Sequence, residues 1–181
     1  LYYRDMEGEA SYQARMREIA RSQNSNIPVV RGEEVDSDSA YQGPIYGKGA
    51  FFMHTLRYVI GDAVFFPTLK KLATDPQYTY DQVVQTSDVE KLFSNASGKN
   101  LKPLFDFYLY TAQKLEIRVK QTADDKYLVQ LINFDSPLPI DISTDNGTNR
   151  MTIDKKGILI TSKTMPLVDA GIFYLKKVIL E

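Results

Sequence analysis

The stretch AYQGPIYGKGAFFMHTLRYVIGD, residues 40–62, decides the fold because its second half predicts a long apolar helix. Over residues 47–60 few positions are polar, which is typical of a helix that is buried on most sides. Gly61 is well placed to end this helix in a left-handed conformation, and Asp62 to cap the next one. Pro67 predicts a kink or a delayed start in that next helix. A helix this apolar needs a partner surface, which its few neighbouring elements are not expected to supply in full.

Helical spacing of apolar residues continues on both sides of this stretch. Further helices are predicted at residues 9–23, 63–73, 87–98 and 100–110. Ser87 and Glu90 have the spacing of a capping box, and Gly98 follows as a left-handed stop. Residues 23–39 carry Asn, Ser, Gly and Pro turn signals and predict a long surface loop.

After about Gln113 the apolar pattern changes from helical to alternating, as at residues 115–119. Turn signals recur about every 8–12 residues, and the last predicted strand covers residues 172–180. Short alternating strands of this kind predict a small antiparallel β-sandwich. The fold class is therefore α+β, with an all-helical part at residues 1–113 and a β-sandwich domain at residues 114–181.

Composition excludes several classes of function. The 181 residues carry a net charge of −1, with 22 basic and 23 acidic residues well mixed, so no basic stripe for nucleic acid is present. No apolar run reaches the length of a membrane span, and the sequence leaves the localisation unknown. With no cysteine and one histidine, the chain offers no metal site of ordinary spacing. The acids of DSDSA, residues 36–40, are expected to be solvated loop acids.

Two tyrosines remain as candidate functional residues. Tyr41 and Tyr46 flank the sequence QGPI, in which Gly43-Pro44 predicts a rigid, tight turn. A phenol held in front of a buried helix is a neutral hydrogen-bond donor suited to an oxyanion. The alternative is that Tyr46 is a half-buried aromatic whose hydroxyl meets the backbone. His54 is expected to be a core histidine that is hydrogen-bonded to a neighbour.

The segment also resembles the region after the zinc site in the aminopeptidase N and leukotriene hydrolase family of gluzincin metallopeptidases. That family's pattern is Tyr, four residues, Tyr, one residue, Lys-Gly and then an apolar helix ending in Gly-Asp or Gly-Glu. Here the pattern is filled by Tyr41, Tyr46, Lys48, Gly49, His54, Leu56, Arg57, Gly61 and Asp62. The resemblance continues through FFPTLKKLA, SGKNLKPLFDFYLY and MPLVDAGIFYLKKV, so it covers nearly the whole chain.

The resemblance implies a zinc-dependent aminopeptidase that removes N-terminal residues from peptides. In that family a His-Glu-x-x-His helix and a later Glu hold zinc, and the motif Glu is the general base. The tyrosine matching Tyr46 donates its hydroxyl to the developing oxyanion, and the one matching Tyr41 lines the substrate site. The fold implied is the C-terminal half of a thermolysin-like catalytic domain followed by the β-sandwich.

The sequence also departs from the family, because it contains neither His-Glu-x-x-His nor the amine-binding motif. We therefore expect the zinc ligands upstream of Leu1, no zinc bound by this fragment, and no activity of the fragment alone. Its expected partners are the missing N-terminal half of the catalytic domain and, in the intact enzyme, a peptide substrate. An exposed apolar face left by the missing half would favour self-association.

Two other functions stay open at this point. The first is a peptidase-like scaffold that has lost its chemistry while keeping its fold. The second is an independent β-sandwich interaction module with a helical cap.

Overall fold

The computed structural model describes residues 2–23, 26–32, 36, 38, 41 and 43–181. The helices are α1 (Tyr2–Glu7), α2 (Glu9–Ser22), α3 (Gly43–Ile60), α4 (Asp62–Thr74), α5 (Thr86–Ser97) and α6 (Lys102–Tyr110). The strands are β1 (Leu115–Ala123), β2 (Lys126–Leu131), β3 (Leu138–Thr144), β4 (Gly147–Ile153), β5 (Ile158–Thr161), β6 (Leu167–Val168) and β7 (Lys176–Leu180). Helices precede strands, which confirms the predicted α+β class. Of the helices described, none combines the length and the apolar character needed to cross a membrane.

Helix α3 packs against α2, α4 and α6 because its sequence is apolar on nearly every side. Phe51 is fully buried, and the ring of Phe52 meets Phe105 of α6 edge-on with ring centroids 4.8 Å apart. The helix begins at Gly43 rather than at Gly47, so the Gly-Pro pair is its first turn and not a separate turn before it. Proline suits a first turn because its missing N–H leaves no helical hydrogen bond unmade.

The junction between α3 and α4 differs from the predicted one. Gly61 has a φ of 81° with an extended ψ of 157°, so it is not a left-handed stop. Glycine adopts this conformation at little cost because it has no β-carbon. Asp62 is the first residue of α4, and its carboxylate binds Arg57 instead of capping the helix. The helix runs through Pro67 with no delayed start.

The cap of α5 lies two residues before the predicted one, at Gln85 and Asp88. The N–H of Gln85 donates to Oδ2 of Asp88 at 3.0 Å, so an Asp completes the capping box. The predicted pair fails because Ser87 already lies within the helix, and Glu90 instead accepts a hydrogen bond from Ser94. The predicted left-handed stop is confirmed, with Gly98 at φ 65°.

The strands form two small sheets, with orders β5-β2-β1-β7 and β4-β3-β6. The sequence predicted an antiparallel sandwich. All strand pairs are antiparallel except β1 with β7, which is parallel. Between β5 and β7 the chain passes through β6 of the second sheet, and β7 then joins β1 at the far edge of the first sheet. The strand predicted from Ile172 begins only at Lys176, since Ile172 has a φ of 57°.

Among the described residues, the buried apolar side chains of the helices and of both sheets, Leu92 excepted, belong to one cluster. Tyr58 of α3 joins the two parts. Its hydroxyl donates to Oδ1 of Asp141 on β3 at 2.8 Å, and its ring stacks on Phe173 with centroids 4.0 Å apart. The division into domains between residues 113 and 114 stays a prediction.

A buried carboxylate, Asp169, organises the turn that precedes β7. Only 1% of this residue is exposed. Its Oδ1 accepts the N–H of Phe173 at 2.8 Å, and its Oδ2 accepts the N–H of Tyr174 at 3.1 Å. Lys176 donates to Oδ2 at 2.7 Å and to the Asp169 carbonyl at 2.9 Å. Burial raises the pKa of Asp169, and the Lys176 ammonium opposes that rise.

We expect Asp169→Asn to lower the free energy of unfolding by about 3–5 kcal/mol, because it leaves the buried Lys176 ammonium without its counter-charge. The measurement is equilibrium unfolding in urea. Asp106→Asn is the matched control, since it breaks an exposed pair with Lys102 and should change stability far less. Equal losses in the two variants would contradict the role given to Asp169.

Candidate functional site

The two candidate tyrosines are exposed side chains at the start of α3. Tyr46 lies in the first turn of the helix and is 66% exposed, and Tyr41 is 71% exposed. Tyr46 is therefore on a helix, where the sequence had suggested a loop, and it is not half-buried as the alternative required. The chain folds this way because Gly43-Pro44 starts the helix before the tyrosine is reached.

Lys48, two residues after Tyr46, anchors the start of α3 to the end of α6. The side chain is buried, with 4% exposed, and its Nζ donates to the carbonyl of Thr111 at 2.5 Å. Thr111 directly follows α6, and the carbonyl end of a helix favours a positive charge. Burial lowers the pKa of Lys48. A lysine held in this way fixes the start of α3 relative to α6.

The side chain of Gln23, directly after α2, lies beside Gly47 of α3. A β-carbon at Gly47 would clash with Nε2 of Gln23, but this is the end of a flexible side chain that can move aside, so the contact does not require glycine. Gly49, by contrast, has open space around the position of a β-carbon. Lys48 and Gly49 are the Lys-Gly pair of the sequence pattern. The contacts among the described residues give Lys48 a structural role but show no steric need for glycine at position 49.

His54 lies on α3 as a core histidine, 3% exposed. Its Nε2 faces the carbonyl of Ile172 at 3.3 Å, and its Nδ1 is 2.8 Å from the hydroxyl of Tyr12. A carbonyl only accepts, so Nε2 carries the proton and Nδ1 accepts the bond from Tyr12. Burial lowers the pKa of His54 to about 4. The neutral imidazole thus connects α2, α3 and the turn before β7.

An ion cluster that the sequence reasoning missed lies beside this histidine. Arg57 donates from Nε to Oδ1 of Asp62 at 2.6 Å and from Nη2 to Oδ2 at 2.9 Å. Glu9 of α2 is 3.4 Å from the same Nη2. These hydrogen bonds from Arg57 lower the pKa of Asp62. The cluster borders a cavity of about 320 Å³, and it ties α2 to the junction of α3 and α4.

The residues present do not fit a zinc ion. Within the described ranges no group of three or more His, Cys, Asp or Glu side chains is placed to hold a metal. Both ring nitrogens of His54 are already engaged. Of the DSDSA stretch, Asp36 and Asp38 are exposed, and its other residues lie outside the described part of the chain.

Comparison with known proteins shows the fold. No family model and no curated protein matches the sequence. A solved structure that does match is the crystal structure of Legionella pneumophila aminopeptidase A in complex with aspartic acid, with a TM-score of 0.72 over 99% of this chain. The sequence identity is 16%, and this chain spans 22% of the length of that one. The chain therefore has a peptidase-like fold, that of part of an aminopeptidase.

We expect the His54 imidazole to titrate near pH 4 in the folded chain, as its lowered pKa implies. The measurement is the proton NMR shift of its ring against pH, which is unambiguous because the chain has one histidine. The same signal in urea should titrate near the ordinary pKa of 6.5. A midpoint near 6.5 in the folded chain would contradict the buried, neutral assignment.

The difference in the His54 pKa between the folded and the unfolded chain determines how the stability of the fold changes with pH. Between pH 6.5 and about 4 the unfolded chain binds a proton at His54 that the folded chain does not. Stability is therefore full above 6.5 and falls by up to about 3 kcal/mol as the pH drops to 4. In a His54→Gln variant this part of the acid dependence should be missing.

Proposed function

We propose that this chain is the C-terminal part of a zinc-dependent aminopeptidase, to which it supplies Tyr46 as an oxyanion donor. The observation that carries the proposal is the position of Tyr46, an exposed phenol on a helix turn anchored by Lys48. The fold likeness to an aminopeptidase over 99% of the chain supports the enzyme class. The spacing of Tyr41, Tyr46 and the Lys-Gly pair supports the residue assignment.

The chemistry requires a donor that is fixed before the reaction begins. Attack on the scissile carbonyl builds negative charge on its oxygen, and a pre-positioned neutral hydroxyl stabilises that charge more than it stabilises the ground state. Tyr46 fits this role because its helix cannot shift without breaking the bond between Lys48 and Thr111. Tyr41, five positions earlier in the sequence, would line the pocket for the peptide substrate.

Zinc and the general base belong, in this proposal, to sequence upstream of Leu1. When bound there, zinc would activate the attacking water. No donor set among the described residues fits the metal, so no step of the reaction is assigned to zinc. The chain by itself is accordingly proposed to bind no zinc and to be inactive.

The first helix offers a surface for the upstream half of the catalytic domain. Helix α1 has no buried residue, and Tyr2 and Met6 on it are 67% and 68% exposed. These two residues are four positions apart and so lie on one face of the helix, and contiguous exposed apolar patches mark interaction sites. The same observation favours the second candidate function, a non-catalytic peptidase-like scaffold or interaction module, and it also favours self-association of the isolated chain.

In a protein that includes the upstream zinc-binding region, Tyr46→Phe should lower kcat by about 100- to 1,000-fold, because an oxyanion donor is lost. KM should change far less, since the donor acts in the transition state. Steady-state hydrolysis of aminoacyl-anilides measures both constants. Tyr80→Phe is the control, as this tyrosine is 82% exposed on the connection between α4 and α5.

A near-normal kcat for Tyr46→Phe would remove this residue from the mechanism. The 181-residue chain alone should hydrolyse the same substrates no faster than its own Tyr46→Phe variant. Faster hydrolysis by the unmodified chain would show that it carries catalytic machinery of its own, which the proposal denies.

A further inference from the structure

A groove runs between α2 and the edge strand β7, at a place that the proposed peptidase chemistry does not use. Its part between the two elements is a depression of about 240 Å³, lined by Arg17 and Arg21 of α2 and by residues on and before β7. A second depression of about 590 Å³ is lined by residues of α2 alone and shares these two arginines, so it adjoins the first along the helix. We call the combined feature the basic groove.

The charge of the basic groove is almost entirely positive. Lys114 lines it together with the two arginines, and so does Lys176, whose ammonium is already neutralised by Asp169. Glu18 is the acid among its described lining residues, and Glu18 is already paired with Arg15 at 2.5 Å. Arg17 and Arg21 are exposed and form no ion pair with any residue that the structure describes. An occupant with carboxylates would supply counter-charges to these two arginines.

The floor of the basic groove is apolar and partly buried. Ile172, Leu175 and Val178 line it, and Val178 remains 36% exposed. Apolar side chains flanked by Arg17 and Arg21 suit a ligand that combines apolar and acidic groups. A small inorganic anion would use the arginines and leave this floor uncovered.

Among the described residues, no strand pairs with the outer edge of β7 beside this floor. Strand β7 ends the order β5-β2-β1-β7, and its neighbour is on one side only. The carbonyl of Leu175 accepts the N–H of Leu115, and the N–H of Glu181 donates to the carbonyl of Val119. Backbone groups alternate in direction along a strand, so those of Val178 and Leu180 point away from β1. Such an edge pairs readily with an extended peptide.

We propose that the basic groove binds an extended, acidic segment of a partner protein. The segment adds a strand to the free edge of β7, places apolar side chains on the floor, and pairs its carboxylates with Arg17 and Arg21. The three features match three parts of one ligand: its backbone, its alternating apolar side chains and its acids. Neither Tyr41 nor Tyr46 lines the groove, so this binding is independent of the proposed peptidase role.

The test is a fluorescence anisotropy titration of the 181-residue chain with a labelled peptide of alternating Glu and Val. The Glu peptide should bind, and its affinity should fall as salt is added, because screening weakens the ion pairs. A peptide with Lys in place of Glu should not bind. In the double variant Arg17→Glu, Arg21→Glu the affinity should fall by at least about tenfold.

Two further variants make the result specific. The double variant Lys70→Glu, Lys71→Glu changes the net charge equally on α4, away from the groove, and should bind like the unmodified chain. Val178→Pro removes an outward N–H from the edge strand and should weaken binding while the circular dichroism spectrum stays the same.

Three outcomes would overturn the proposal. One is no binding of the Glu peptide at low salt, and another is an equal loss of affinity in the α4 double variant. The third is binding of phosphatidylserine vesicles or single-stranded DNA without binding of the Glu peptide, which would assign the groove to a different class of partner.

Discussion

The buried carboxylate of Asp169 is the constraint on which the junction of helices and strands depends. Its oxygens accept two backbone N–H groups and the Lys176 ammonium, so the turn before β7 has one conformation. Ile172 in that turn has a φ of 57°, which is strained for a β-branched residue and costs about 1–2 kcal/mol. The hydrogen bonds around Asp169 offset this strain.

The turn before β7 also fixes helix α3. The carbonyl of Phe173 accepts the hydroxyl of Thr55 at 2.6 Å, and the carbonyl of Ile172 accepts the Nε2–H of His54. Lys48 holds the other end of the helix against the end of α6. The helix is thus attached at two places along its length. A side chain in its first turn, such as Tyr46, is carried by a rigid element, which is what a pre-positioned hydrogen-bond donor needs.

The sequence predicted the parts of this structure that depend on local pattern. Neighbouring residues along the chain were enough to predict the apolar run of α3, the alternation in β1 and the stop at Gly98. The start of α3 at Gly43 was missed because Gly-Pro is equally typical of a turn and of a first helical turn. Competition among nearby polar residues moved the cap of α5 to Gln85.

Features that depend on distant residues could not be predicted. The parallel pairing of β7 depends on where the chain crosses, and nothing in the local pattern of that strand specifies it. Asp169 resembles an ordinary turn residue in sequence, and its burial follows from its pairing with Lys176. The exposure of Tyr46 could not be predicted either, since it depends on how the first turn of α3 packs against α2 and α6.

We propose that the Tyr46 hydroxyl contacts the oxygen that becomes negatively charged during peptide hydrolysis. A crystal structure of this chain together with the proposed upstream zinc-binding region, bound to a peptide analogue with a tetrahedral centre, would test this contact. We expect the Tyr46 hydroxyl to lie about 2.7–3.1 Å from the tetrahedral oxygen of the analogue. A bound analogue whose oxygen contacts other donors, with the Tyr46 hydroxyl turned away to solvent, would contradict it.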